Sequence, residues 1–485
     1  MVFVVDPHQD LYRATLGLVP PARRGDVVAL DLADAARPFG LNLLDVGLGW
    51  GRDEAVANAL TVFRREFDRF WGPRMADAFR FALLTLYEAN AALCATDPVG
   101  RRRQHTVLEV PALLTEEGFR WEVLKLVTDP VIHAWWAGYF APLDRRAQLD
   151  IVNPVLTKVN TFAGTWAARA VVGQPRSTIE PAAWLRDGAI VCVNTAKGTV
   201  GAETAALVGG TLINLVGLAV AAQAGLPPEE RRAVTIVVDE LHTMPGADYE
   251  SILSELAKYG ANLILATQSL GRLDALDRPG ERALKATIFA NLDGLFAFHT
   301  SAEDARYLVP ELGGEEALAV ADLTELGEYQ CYAKLSTGGE RVPAFLVRLD
   351  PPPVGDPALA ATLAAASSAR YGRGRTAVED DIRAALERIA RTRPKPRKGQ
   401  EGDGVSRDTT AEGQDKSDGK RNKHRPQKDR DEPRQGTLPE SPGADGGGTG
   451  DDGNPETGTG DTAEDAGADD RDDDDDEGEG AVVRA

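Results

Sequence analysis

The sequence predicts an α/β fold on a mainly parallel sheet, and three observations carry that expectation. The runs "VFVVD", "GAIVCVN" (188–194), "AVTIVVDE" (233–240) and "ANLILATQS" (261–269) are short, continuous and rich in β-branched residues. Such runs mark strands buried on both faces. Helical patterns lie between them, the alternation that makes parallel sheets. Polar residues gather where each run stops, at the edge where open parallel sheets place their ligand sites.

The elements follow in order. Residues 1–50 alternate strand and loop signals in "VFVVD", "DVVALDL" and "PFGLNLLD". Residues 51–177 hold almost no strand pattern. There, "EAVANALTVFRREFDRFW" sets Val56, Leu60, Phe63 and Phe67 on one helical stripe, and "RMADAFRFALLTLYEANAAL" and "FRWEVLKLVTD" continue in the same style. This predicts an all-α insertion. Residues 178–350 return to alternation, with "DYESILSELAKYG" as a helix and "LDGLFAFHT" (292–300) as a strand. "EYQCYAKL" and "VPAFLVRL" form a hairpin around Thr337-Gly338-Gly339. Residues 351–390 read as a Pro-rich linker and one helix. Its capping box is Thr376 with Glu379, and its stripe is Val378, Ile382, Leu386 and Ile389. Residues 391–485 carry 26 acidic and 16 basic side chains among Pro and Gly, which predicts a disordered tail.

Composition narrows the function classes. In a chain of 485 residues, a formal net charge of -21 opposes nucleic-acid attraction over the whole surface, though a local basic stripe stays open. About half of that excess lies in the tail. The three cysteines, Cys94, Cys192 and Cys331, are far apart in sequence and suit a reducing compartment rather than a disulfide framework or metal site. The uncharged stretch Thr204 to Gly225 is long enough to cross a bilayer. Gly209, Gly210, Asn214 and the flanking strands favour a buried helix instead.

The sharpest chemical signal is Asp239-Glu240 at the end of "TIVV". Adjacent carboxylates there suit nucleotide hydrolysis, one holding Mg²⁺ and the other orienting and deprotonating water. A solvated pair at a strand end is the plain alternative. The next strand ends in Thr267-Gln268-Ser269, and Gln268 could reach a γ-phosphate or the lytic water; a loop hydrogen bond is the alternative.

Together, "VVDELHTM", "ILSELAKYGANLILATQSL" and "ANLDGLFAFHTSAEDARYL" resemble the HerA/FtsK superfamily of DNA-pumping ATPases. The likeness is strongest to the coupling-protein-like ATPases of conjugation and type IV secretion, and it extends over most of the ordered chain. It covers "VVDPHQDL", "LVPPARRGDVVALDLAD" and "PFGLNLLD", then "WGPRMADAFRFALLTL" and "GAIVCVNTAKGTVGAETAALVGGTL". The resemblance implies a RecA-like (P-loop NTPase) core working with ATP and Mg²⁺. Asp239 matches the Walker B aspartate for Mg²⁺, Glu240 the catalytic glutamate and Gln268 the polar sensor. Asp6 borders the nucleotide site. Lys197 and Gly198 stand at a strand-to-helix turn where amides could favour an anion; a plain surface lysine is the alternative. The family further implies a homo-hexameric ring passing DNA through a central pore, and conjugation or DNA-processing partners. It implies a cytoplasmic location, or one at the inner face of the membrane, with membrane association only through partners or missing segments.

Two departures qualify the likeness. GxxxxGK[ST] occurs nowhere in the sequence, so the reading expects a first strand, phosphate loop and helix upstream of Met1, and weak or absent ATP binding without them. Where relatives carry an arginine before the sensor strand, this chain has Ala257 and then Lys258, which leaves Arg272 and Arg282 as replacements. A non-hydrolysing scaffold or adaptor that keeps the fold is the rival function. The acidic tail is expected to dock partners or to compete with DNA. His8, His133, His242 and His299 lack ligand spacing. Trp135-Trp136 could stack on bases but suit core packing better, and "RRRQH" (101–105) fits a solvated turn as well as a phosphate contact.

Overall fold

The computed structural model describes residues 1–393, except 68–70, 98, 275, 278–282, 315 and 339, together with 481–484. Its centre is a sheet whose strands are β1 (Val2–Asp6), β2 (Val27–Asp31), β3 (Ile190–Asn194), β4 (Val234–Val238) and β5 (Ala261–Thr267). β6 (Gly294–Ala297), β7 (Gln330–Thr337), β8 (Glu340–Arg341), β9 (Phe345–Arg348) and β10 (Ala481–Arg484) complete it. The order is β2-β3-β1-β4-β5-β10-β6-β7-β8, with β9 also on β7. The first five strands pair in parallel, and the fold is α/β as the runs predict. β1 shows why. Phe3, Val4, Val5 and Asp6 are all buried, so both faces are covered and no polar alternation is needed.

Four expectations fail, one early and three late in the chain. "PFGLNLLD" forms no strand: Phe39 makes only an isolated bridge to Gly372. Asn42 and Asp45 supply the reason, because their side chains take the backbone partners that a ladder would need. Asn42 Nδ2 donates to the His105 and Pro175 carbonyls, and the Asp45 carboxylate accepts from the amides of Gly47 and Ser177. The stretch expected to be a linker holds a helix, Pro357–Tyr371. Asp356 caps it, accepting from the Ala358 and Leu359 amides, and Pro357 sits at its first position. The last helix begins at Arg375 behind Gly374, so Thr376 lies inside it and makes no capping box. Its stripe is partial too: Val378 and Ile389 are buried, whereas Leu386 is 62% exposed. The tail expected to be disordered lies outside the described residues except for 481–484, which form a strand.

Between β2 and β3 the chain is helical. Phe63, Phe79 and Phe162 meet edge to face around one core, at centroid distances of 4.9 and 5.2 Å from Phe63. Trp135 and Trp136 belong to this core as well; their indole N–H groups donate to Asp77 and Thr85. The 101–105 loop is tied down by Arg101 on Asp45 and by His105 against buried Glu109, which also receives Arg388 from the last helix.

The apolar helix Ala202–Ala221 is the single described helix long and apolar enough to cross a membrane, and 83% of its apolar window is buried within the protein. The residues that interrupt its apolar run are packing devices. A Cβ on Gly209 would meet Met244 Sδ at 2.8 Å, and one on Gly210 would meet the Gly246 backbone at 3.0 Å. Asn214 Nδ2 donates to the Gly246 carbonyl, and its Oδ1 accepts the Asp248 amide. The helix therefore grips the loop that follows Asp239-Glu240.

Candidate functional site

The carboxyl ends of β1, β4 and β5 lie side by side. Val5 pairs with Val238, and Val238 pairs with Leu265, so Asp6, Asp239 and Gln268 all emerge at one edge. The Asp239 amide donates to the Val5 carbonyl at 3.0 Å, which fixes the point where β4 leaves the sheet.

Three carboxylates share this edge, each in different surroundings. Asp6 is fully buried and accepts the His8 and Tyr12 amides at 2.6 and 2.8 Å. Both oxygens are used to hold the turn into the helix Asp10–Gly17. Asp6 is thus a support beside the site rather than a group aimed into it. Asp239 is half-buried. Burial first, then the charges of Asp6 and Glu240, push its carboxyl up to about 6. Among the described residues no group of three His, Cys, Asp or Glu side chains is set for a metal ion. A Mg²⁺ ion at Asp239 would therefore take most of its oxygens from water and phosphate, which suits that ion's preference for few protein ligands.

Glu240 is 5% exposed and sits in the left-handed region, with φ 48° and ψ 55°. A side chain held there costs about 1 kcal/mol or more and persists only where its surroundings enforce it. Its carbonyl accepts both the amide and the hydroxyl of Thr243 at 2.8 Å, and the gripped loop beyond completes the constraint. The turn lays Glu240 Oε2 2.9 Å from His242 Nδ1, and His242 Nε2 faces Arg272 Nη1 at 3.3 Å. Arginine only donates, so in that contact Nε2 is the acceptor, while Nδ1 and Glu240 Oε2 are close but not aligned for a hydrogen bond. Sequence spacing passed over His242. The contact exists because Glu240 turns left-handed, and no residue pattern announces that.

Gln268 is exposed directly after β5, and its neighbour Thr267 is buried with its hydroxyl on the Ser269 carbonyl. Lys197 stands apart. It follows β3, two strands and so about 10 Å from β4. Its amide donates to the Pro7 carbonyl, and the helix it begins has four residues, so this turn holds no open cradle of amides. Lys258 precedes β5 and lies at the opposite edge of the sheet, its ammonium 5.0 Å from the Tyr259 ring centroid. Arg272 is the cation that the fold brings to Glu240's neighbourhood. Arg282 lies outside the described residues. A cavity of 840 Å³ lies elsewhere, between the Asp10–Gly17 helix, β2 and the Pro357–Tyr371 helix.

No family model and no curated protein matches the sequence. Solved structures do match it by shape. The plasmid coupling protein TrwB with a non-hydrolysable GTP analogue aligns at TM-score 0.50 and 16% identity, over 72% of this chain and 78% of that one. TrwB with ADP and Mg²⁺ aligns at 0.50 and 15% over the same shares. VirB4 of Thermoanaerobacter pseudethanolicus aligns at 0.45 and 14%, over 73% and 82%. The strand order, the helices on the sheet and the two TrwB alignments agree, and the chain has the RecA-like fold seen in that coupling protein.

Proposed function

We propose that this chain carries the hydrolytic edge of a DNA-translocating ATPase of the conjugative-transfer kind. One observation supports the reading above the others. Asp239 and Glu240 end β4, Gln268 ends the adjacent parallel strand, and both stand on the fold of a protein solved with ADP and Mg²⁺. In this reading Asp239 is the Mg²⁺ ligand, Glu240 orients and deprotonates the attacking water, and Gln268 senses the γ-phosphate. In this reading His242, whose Nδ1 lies 2.9 Å from Glu240 Oε2, packs against the carboxylate and limits its movement before nucleotide arrives. The motor assembles as a homo-hexamer around DNA on the cytoplasmic side of the membrane, with secretion or DNA-processing partners.

The sequence lacks GxxxxGK[ST], and the Lys197 turn has its amide engaged. These residues alone are therefore expected to bind Mg–ATP no tighter than about millimolar, because β- and γ-phosphates need several amides and a lysine. The same two observations favour the second reading, a scaffold that keeps the fold without turnover.

Mg²⁺-dependent ATP hydrolysis at saturating DNA distinguishes them. The motor reading expects a measurable rate that Glu240→Gln lowers at least about 100-fold while nucleotide binding persists. Equal rates in both proteins would assign the base wrongly. Zero rate with zero nucleotide binding would leave the scaffold.

A further inference from the structure

β5 and β6 are consecutive strands in sequence and run in the same direction, yet they do not pair. β10 lies between them, antiparallel to both. Val482 stands opposite Ala266 on one side and Phe296 on the other, and Val483 stands opposite Leu265 and Leu295. Strands on either side of an inserted strand are about 9.5 Å apart, beyond the reach of their own amides. Without an occupant, β5 and β6 would each present an unpaired edge in the middle of the sheet.

The occupant is unlike the other strands. It comes from the far end of the chain, after roughly 85 residues with little to build a core. Between positions 396 and 480, Val405 and Leu438 are the only residues among Val, Ile, Leu, Met, Phe, Trp and Tyr. The sequence then closes on "AVVRA", whose paired valines favour extended backbone. Eighty-five residues are enough chain to reach the sheet from any side of the protein. The five-strand block has helical crossovers to fix its strands; β10 is held by pairing.

We propose that the gap between β5 and β6 is a strand-acceptor groove, and that the chain's own Ala481–Arg484 is its occupant, a removable plug that closes the sheet by strand addition. Backbone pairing on both sides supplies the affinity, as in other strand-addition contacts. The plug is tethered, so a local concentration of about millimolar keeps a short, individually weak segment seated. The proposal does not depend on nucleotide hydrolysis.

The direct test is a cross-link in the full-length chain. Ala266→Cys and Val482→Cys stand opposite each other, and Cys94, the least buried of the native cysteines, is exchanged for Ser. Mild oxidation is expected to give an intramolecular disulfide in most molecules, read by non-reducing electrophoresis and peptide mass spectrometry. The control Ala266→Cys with Val405→Cys should give little. Disulfide-linked dimers would make a second copy the occupant and overturn the assignment in cis; no cross-link would overturn the groove itself. A second measurement uses Val483→Pro, which removes an amide from the plug. Hydrogen exchange in Ile264–Thr267 and Gly294–Phe296 should quicken at least about 10-fold while β1 and β3 stay protected. Millimolar Ala-Val-Val-Arg-Ala peptide should restore protection. Unchanged exchange in Val483→Pro would overturn the proposal.

Discussion

The five parallel strands and the β6–β9 flank belong to one sheet but are secured in different ways. Within the parallel block, every strand pairs with a neighbour through a helical crossover, and β1, β2 and β3 each have at most one residue that is not fully buried. The flank is antiparallel, β8 is wholly exposed, and β9 has three exposed residues of four. Among the described strands, β10 is the one that pairs with both. On the readings proposed above, the difference places chemistry and strand exchange apart. A strained Glu240 and a charged Asp239 need the rigid block beneath them, whereas a site of exchange needs strands that release without unfolding it.

Charge placed in each region should separate them most strongly. Ile236 is fully buried at the centre of β4, between Phe3 and Leu263. Ile236→Asp should cost more than about 4 kcal/mol and abolish cooperative thermal unfolding. Leu346 on β9 is 53% exposed, and Leu346→Asp should change stability by less than about 1 kcal/mol by urea titration. Similar losses in the two variants would break the comparison.

The strap to the last helix comes next. Glu109 is buried; burial alone would raise its carboxyl, but His105 and Arg388 outweigh that and hold it at about 2. A carboxylate lowered in the folded state stabilises above its unfolded value of about 4.3 and loses that contribution as pH falls toward 2. Arg388→Met should remove about 2 kcal/mol at pH 7 and flatten the acid limb between pH 4.5 and 2. Denaturant midpoints measured across that range decide it.

The smallest effect lies at the site. Asp239 is raised, so its charged form opposes folding once pH passes from about 4 to 6, and it continues to do so above. Asp239→Asn should therefore stabilise the nucleotide-free protein at pH 8 by about 1 kcal/mol, allowing for solvent screening, and leave it unchanged at pH 3.5. Destabilisation at pH 8 would show that the carboxylate is already paired.

What the sequence made legible follows from locality. Strands β1, β3, β4 and β5 are continuous β-branched runs, and the polar groups that end them are adjacent in sequence, so Asp239, Glu240 and Gln268 stood out. The irregular 38–45 stretch did not, because side chains of Asn42 and Asp45 outcompete the ladder using partners some 60 to 130 residues away. β10 was hidden for the same reason. Two valines after an acidic run carry almost no local signal, and their strand exists only through residues more than 180 positions away. His242 became a site residue through one left-handed backbone angle at Glu240.

The account turns on Asp239 as the group that meets the metal–nucleotide complex. Electron paramagnetic resonance of Mn²⁺ with millimolar ADP, comparing the unaltered chain with Asp239→Asn, tests this without relying on turnover. The account predicts a protein-bound Mn²⁺–nucleotide signal that Asp239→Asn removes and Asn194→Ala, on β3, leaves in place. An undiminished signal in Asp239→Asn would contradict it.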